Sequence, residues 1–276
     1  MKILITGGTG FIGTHLVNAL GNKHEILISN KNNLAQNLTD KDLDGTDLIF
    51  HLGATSRVGI SLENPEGTLH NNYDSTLRLL DWCRHNPKTS MINISSSSAK
   101  FADVKSNPYA LSKLIGEQLV DVYRKSFDAN AVSVRLFNVY GPGEAEFGKH
   151  TTLLKACKDR YLKKENLLIY GNGSIRRDYT HVSDVISGLL VISKLVLAKS
   201  LTTISIFELG RMQATSSKQI AQEFVFGTDL SIDYVGDRNK ADPPLTEADV
   251  RFTPPGWKAE IDVLQHIRDW RDSLER

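Results

Sequence analysis

Lys2-Ile3-Leu4-Ile5-Thr6-Gly7-Gly8-Thr9-Gly10-Phe11-Ile12-Gly13 opens the chain. The apolar run at 3–5 ends in glycines and reads as a buried strand. Helical spacing follows, with Leu16, Val17 and Leu20 on one side. A glycine triplet by itself is a weak signal, because any tight turn between a strand and a helix can use one. Here glycines 7, 10 and 13 sit where a strand feeds a helix, which gives the triplet weight. Gly7 permits a tight turn, Gly10 lets a pyrophosphate approach the backbone, and Gly13 lets the helix pack close to the sheet. The helix N-terminus would then stabilise phosphate charge.

Further strands are expected at 24–29, 48–52, 90–95 and 131–136, with long helices at 68–84 and 109–126. The turn-like Asp44-Gly45-Thr46-Asp47 introduces the third strand. Alternating strands and helices predict an α/β fold: a Rossmann-type doubly wound parallel sheet covered on both faces. After Tyr140-Gly141-Pro142-Gly143 the reading is loop-dominated, prolines 243, 244, 254 and 255 cluster late, and 260–275 is helical again. The expected organisation is a dinucleotide-binding domain over 1–140, with 178–206 folding back onto it. A small C-terminal α/β substrate-binding subdomain would comprise 141–177 and 207–276.

The bulk numbers fit an ordinary globular protein: 276 residues, 40% apolar, 24% charged and a net charge of +1. No global field would draw this chain to nucleic acid or an anionic membrane. Cys83 and Cys157 are expected to be reduced thiols, and no secretory signal precedes the first strand, so a cytoplasmic location is expected. The greasy stretch 186–201 is interrupted by Ser187, Lys194 and Lys199. It reads as a buried amphipathic helix, not a membrane span. The eight histidines form no ligand cluster with cysteines or carboxylates, so no metal site is expected.

The end of the second strand bears on cofactor choice. An acid there would hold the ribose hydroxyls of NAD. The chain offers Ser29-Asn30-Lys31-Asn32-Asn33 instead. A lysine attracts a 2′-phosphate, so NAD(H) or NADP(H) is expected, leaning toward NADP(H). The other option is a solvated Lys31 with neutral groups holding the adenosine.

Tyr109 and Lys113 are four apart on an expected helix and therefore share a face. A tyrosine titrates near 10, so acting as a base near neutrality requires its phenolate to be favoured by about 3 pH units. A nearby ammonium such as Lys113 would supply part of that. Ser97 would hydrogen-bond the reacting oxygen, though Ser96 or Ser98 could take its place. Tyr-x-x-x-Lys alone is common on helix surfaces. Its position behind a glycine-loop unit and a strand ending in serines makes it a catalytic candidate.

These residues resemble the extended short-chain dehydrogenase/reductase superfamily, specifically its NAD-dependent epimerase/dehydratase family. The likeness covers Thr6 to Gly13, His51-Leu52-Gly53-Ala54, Val58 with Ser61 and Pro65, Asn71-Asn72, and the serines at 95–98. It continues through Pro108-Tyr109-Ala110-Leu111-Ser112-Lys113, Arg135-Leu136-Phe137-Asn138-Val139-Tyr140-Gly141-Pro142, Tyr170-Gly171-Asn172-Gly173, Arg177-Asp178-Tyr179-Thr180-His181-Val182 and Asp184. That late block implies a nucleotide-diphosphate sugar substrate. By resemblance, Gly7, Gly10, Phe11, Ile12 and Gly13 would line the pyrophosphate, and Ser29, Asn30, Lys31 and Leu38 the adenosine. Leu52, Gly53, Ala54, Asn72 and Ser95, with Tyr109 and Lys113, would complete the cofactor site. Ser97, Asn138, Arg177, Arg238 and Asp242 would contact substrate.

The chain departs from the family at Lys100-Phe101-Ala102, where Val-Tyr-Gly is usual, and the loop before Tyr109 is short. Ser98-Ala99 stands where a 4,6-dehydratase needs an acid pair, which argues against dehydration. The resemblance implies an epimerase acting by transient oxidation and reduction at sugar C4. The alternative is an NADPH-dependent reductase of a 4-keto-6-deoxy sugar. A non-catalytic dinucleotide sensor would commonly lose Tyr109 or Lys113, and both are intact. A homodimer is expected, with no nucleic-acid or membrane partner.

Overall fold

The computed structural model describes residues 1–30, 32–144, 151–200, 204–236 and 243–274. Lys31, Arg238 and Asp242 lie outside the described residues. The main sheet has six parallel strands: β1 (Lys2–Thr6), β2 (Glu25–Ser29), β3 (Leu48–His51), β4 (Ser90–Ser96), β5 (Ala131–Leu136) and β10 (Ile206–Leu209). Their spatial order is β10-β5-β4-β3-β1-β2. The order reverses at β1, which sits between β2 and β3. A ligand crevice is expected at the carboxyl ends of the strands beside such a switch point. The expected doubly wound parallel sheet is therefore present.

Both faces of the sheet are covered. On one side, α1 (Phe11–Leu20) and α8 (Val182–Leu197) bury Leu16, Val182, Val185, Leu189, Ile192 and Val196 against Ile3, Ile5, Phe50 and Val134. On the other, α4 (Pro65–His85) and α6 (Pro108–Phe127) bury Leu79, Leu80, Cys83 and Val120 against Leu4, Ile49, Met91 and Ala131. Strands buried on both faces read as continuous apolar runs, which is why they were legible. α4 and α6 both start with proline behind an asparagine cap, Asn64 and Asn107, whose side chains accept N–H bonds from Gly67 and Ala110. Short helices α2 (Asp40–Leu43), α3 (Val58–Glu63) and α5 (Ser98–Phe101) lie between the large elements.

Beyond β6 (Val139–Tyr140) a second core forms. It draws on α7 (Leu153–Leu162), β7 (Leu167–Tyr170), α9 (Ser217–Val225), β12 (Ile232–Val235) and α10 (Val263–Leu274). β8 (Arg176–Asp178) pairs with β11 (Ala214–Ser216) and β13 (Leu245–Thr246), and β9 (Thr180–His181) pairs with β6. This region holds more regular structure than the loop-dominated reading expected. α9 carries a capping box at Ser216 and Gln219, a local signal that was present in the sequence. The expected boundary between 206 and 207 falls inside β10, which pairs with β5 along its length. Trp257 and Asp184 tie the C-terminal segment to α8: Trp257 Nε1 donates to the Asp184 carbonyl, and Asp184 Oδ2 accepts from Glu260 and Ile261 N–H.

Candidate active site

The glycine loop shows why each glycine is needed. Gly7 has φ +68°, and its N–H donates to the Ser29 carbonyl at 2.7 Å. A Cβ on Gly7 would lie 2.9 Å from Gly53 N, so the loop and the end of β3 touch backbone to backbone. A Cβ on Gly13 would stand 2.1 Å from the Gly7 carbonyl oxygen. Only glycine lets α1 enter the turn at this height. Gly10 is the N-cap of α1, with no side-chain cap and no acid in the first turn. A bare, uncapped helix start beside a side-chain-free loop fits a pyrophosphate.

Around the loop, Leu52, Gly53 and Ala54 follow β3 directly, and Gly53 N–H donates to Thr6 Oγ1 at 2.8 Å. Thr6 Oγ1 also meets His51 Nδ1 at 2.8 Å, and His51 Nε2 meets Thr76 Oγ1 at 3.1 Å. The Thr76 hydroxyl donates to the Asn72 carbonyl, so it accepts from His51 Nε2–H. Nδ1 is then the acceptor for Thr6. Burial, with help from Lys113, pushes this imidazole down to about 3, so it is neutral. Asn72 is spent on structure: its amide clamps the Thr55 backbone and donates to Ser112 Oγ at 2.9 Å. Phe11 packs edge-on against His15, whose Nε2 meets the Pro142 carbonyl at 2.8 Å. Ile12 packs on the sheet core.

Two expected cofactor residues take other roles. Leu38 is a core side chain, 6% exposed, in the cluster under α4. The Ser95 hydroxyl is committed to Glu117 Oε1 at 2.5 Å. At the end of β2, Ser29 Oγ donates to the Asn33 carbonyl and Asn30 bridges Asn33. The described part of this turn carries no carboxylate.

Tyr109 lies in the first turn of α6, and its N–H donates to Ser61 Oγ at 3.2 Å. Burial raises its phenol above the ordinary value, while a hydrogen bond with Ser96 and the Arg57 guanidinium pull it back down. Of the three candidate serines, Ser96 is the one whose hydrogen bond acts on the Tyr109 phenol. Ser97 is the N-cap of α5, where its carbonyl accepts from Lys100 and Phe101 N–H. Lys113 Nζ donates to the Ile94 carbonyl at 2.8 Å. Burial lowers this ammonium to about 8, with Glu117 holding it up. Lys113 shares a helix face with Tyr109, yet the cation felt by the phenol is Arg57.

Beneath these groups runs a buried charge network. Arg135 grips Glu117 with Nε and Nη2, at 2.9 and 2.7 Å, and reaches Glu208 with Nη1 at 3.1 Å. Glu208 also accepts from Lys100 Nζ and from Asp249 N–H. Lys100 and Phe101, the departure from the family pattern, line a cleft of about 510 Å³ with Met212, Leu245 and residues 247–250.

On the expected substrate side, Asn138 adopts φ +28° and its Nδ2 donates to the Asp178 carbonyl at 3.2 Å. Arg177 is buried on β8, and its Nη1 donates to the Arg176 and Pro243 carbonyls. Asp178 is the next residue on β8. That carboxylate accepts N–H bonds from Arg211, Met212 and Ala248. Asn138 thus bonds the backbone of the residue that follows Arg177 on β8.

The model of the NAD dependent epimerase/dehydratase family matches residues 3–201. The chain belongs to this family. It is thus an enzyme fold of the extended short-chain dehydrogenase/reductase group. A Bacillus subtilis relative described as an uncharacterized UDP-glucose epimerase is 32% identical over 232 residues, 70% of this chain and 72% of the relative. Among solved structures, a UDP-N-acetylglucosamine 4-epimerase from Methanobrevibacter ruminantium superposes with TM-score 0.84 at 22% identity, covering 99% of this chain and 98% of that one. A UDP-glucuronic acid 4-epimerase from Bacillus cereus, complexed with UDP-glucuronic acid and NAD, gives TM-score 0.83 at 24% identity, covering 99% and 100%. At these identities the structures speak for the fold. The family description names NAD, and nothing in the comparisons favours the NADP(H) leaning.

Within this epimerase/dehydratase chain, the reading from sequence missed Arg57, Glu144 and His15. Arg57 had a visible signal: it is the only Lys, Arg, Asp or Glu between Asp47 and Glu63. Glu144 follows the Gly141-Pro142-Gly143 turn. Burial raises its carboxyl, against a hydrogen bond from Thr152 and the charges of Arg57, Lys158 and Lys155. Among the described residues no cluster of histidines, cysteines and carboxylates could hold a metal, and no helix is long and apolar enough to cross a membrane.

Proposed function

We propose that this chain epimerises the C4 hydroxyl of a nucleotide-diphosphate sugar through transient oxidation, using a retained NAD(H). The observation that carries this reading is the convergence of Tyr109, hydrogen-bonded to Ser96, with Lys113 one turn on, behind a glycine loop built for a pyrophosphate. The loop glycines, the bare start of α1, and Leu52 to Ala54 would hold the dinucleotide. Bound there, it supplies the hydride acceptor and donor.

Tyr109 takes the proton of the C4 hydroxyl as a general base and returns it to the oxygen on the opposite face. Ser96 Oγ holds the reacting oxygen and the phenol oxygen in line. Lys113 would leave the Ile94 carbonyl to orient the ribose beside Tyr109. Asn138 and Arg177 would grip the substrate diphosphate, where the planar fork of an arginine suits phosphate oxygens, and Arg238 and Asp242 would lie beside the nucleotide. Asn72 acts through Thr55 and Ser112 by holding the cofactor floor against α6. Exposed Tyr73 on α4 and Val122 on α6 would join a homodimer through those helices.

The test is proton NMR in D₂O on a panel of UDP-hexoses, UDP-N-acetylhexosamines and UDP-hexuronates. The expected outcome is a C4 epimer with no solvent deuterium on the ring. Deuterium at C5, loss of water, or consumption of added NADPH without epimer would replace this reading, the last in favour of a ketoreductase.

A further inference from the structure

Lys100 stands where the family pattern usually has valine, and its ammonium enters the core. It reaches Glu208, a fully buried carboxylate, at 2.9 Å from Oε1 and 3.0 Å from Oε2. Two more donors hold the same group: Arg135 Nη1 meets Oε1 at 3.1 Å, and Asp249 N–H meets Oε2 at 2.8 Å. They come from β5 and from the segment after β13. Charge-assisted bonds from separate elements fix the orientation of this carboxylate, so it is a firm anchor for Lys100.

The anchor holds α5. This helix is a single turn, Ser98–Phe101, and Lys100 is its third residue. The next side chain, Phe101, packs edge-on against buried Phe137, with ring centroids 6.3 Å apart. At the start of the turn, Ser98 N–H donates to Ser96 Oγ at 3.1 Å. One accepting site of the Ser96 hydroxyl is thus taken by α5, which sets the direction left for its own proton. A displaced α5 would turn that hydroxyl. Residues 102–107 then lead from α5 to the Asn107 cap of α6, so one corner of the chain carries both Ser96 and Tyr109.

We propose that Lys100 is a positioning residue for Ser96: bound to Glu208, it seats α5 so that the Ser98 N–H orients the Ser96 hydroxyl. Its importance to turnover rests on the epimerase reading above, whereas the seating of α5 does not.

Two readouts keep these apart. With no substrate present, amide hydrogen exchange over 98–102 should quicken about tenfold in Lys100→Met, while the amides of β4 and β5 keep the parent rate. With the UDP-sugar turned over in the panel above, Lys100→Met should lower kcat about 10- to 100-fold at little change in KM, the scale of a misplaced catalytic group. Lys100→Arg, which keeps the charge, should restore both. Because the loss passes through Ser96, adding Lys100→Met to Ser96→Ala should lower kcat by less than about twofold more. A merely structural role, or a direct contact of Lys100 with substrate, would make the two losses multiply. Multiplying losses, or unchanged exchange over 98–102, overturns the proposal. If Lys100→Met does not fold, Glu208→Gln, which keeps the shape and removes the charge that holds Lys100, is read by the same two measurements. Faster exchange over 98–102 in a protein that turns over no nucleotide sugar overturns the functional reading alone.

Discussion

Tyr109 and its neighbours make the sharpest predictions at the level of single side chains. Tyr109→Phe removes the proposed proton acceptor and should lower kcat about 10²- to 10⁴-fold, the range for a general base. Ser96→Ala should cost at least tenfold and Ser97→Ala little; the reverse order in the same assay would restore Ser97 to the role. Lys113 gives a prediction about stability. Its folded value near 8 lies below the unfolded value of about 10.4, so burying this charge opposes folding at pH 7. The penalty is full below pH 8 and fades as pH rises toward 10. Lys113→Met should thus lose activity while its urea midpoint at pH 7 matches or exceeds the parent, an advantage that shrinks at pH 10. Tyr109 and Lys113 were legible because a four-residue helical spacing is local. The choice of Ser96 was not, because it depends on how β4 ends and α5 begins.

The elements explain which glycines and charges matter. Alanine normally improves a helix over glycine by about 1 kcal/mol. Gly116→Ala in α6 should follow that rule, since its Cβ would meet Asn93 Nδ2 at an ordinary 3.4 Å. Gly13→Ala should break it, because its Cβ would meet the Gly7 carbonyl at 2.1 Å. An overpacking cost of roughly 1–3 kcal/mol, with loss of dinucleotide affinity, is expected in calorimetry. Arg135→Met should cost about 3–5 kcal/mol, because it leaves Glu117 and Glu208 buried without their shared cation. The strands and the long helices α4 and α6 were legible from apolar runs and periodicity. The Glu117–Arg135–Glu208–Lys100 network was not, since its members lie on four elements far apart in sequence and meet only when β10 pairs with β5.

For the whole molecule, acid should be destabilising in a specific way. Burial holds His51 near 3 and His266 near 4, both far below the unfolded value of about 6.5. The unfolded chain therefore binds more protons as pH falls through 6.5, and stability drops with it. These two residues together should contribute up to roughly 2–3 kcal/mol of loss between pH 6 and 5, measurable by urea unfolding, and His266→Gln should flatten the slope. At this scale the doubly wound sheet was legible, while the second core was not, because its short helices and two-residue strands give little periodicity to read. The proposed function requires a retained NAD(H) serving reversible chemistry at Tyr109. It is tested most directly by denaturing the purified protein and identifying the released dinucleotide by mass spectrometry. NAD(H) close to one per chain is expected. An empty protein that then binds NADPH far more tightly than NADH would contradict it.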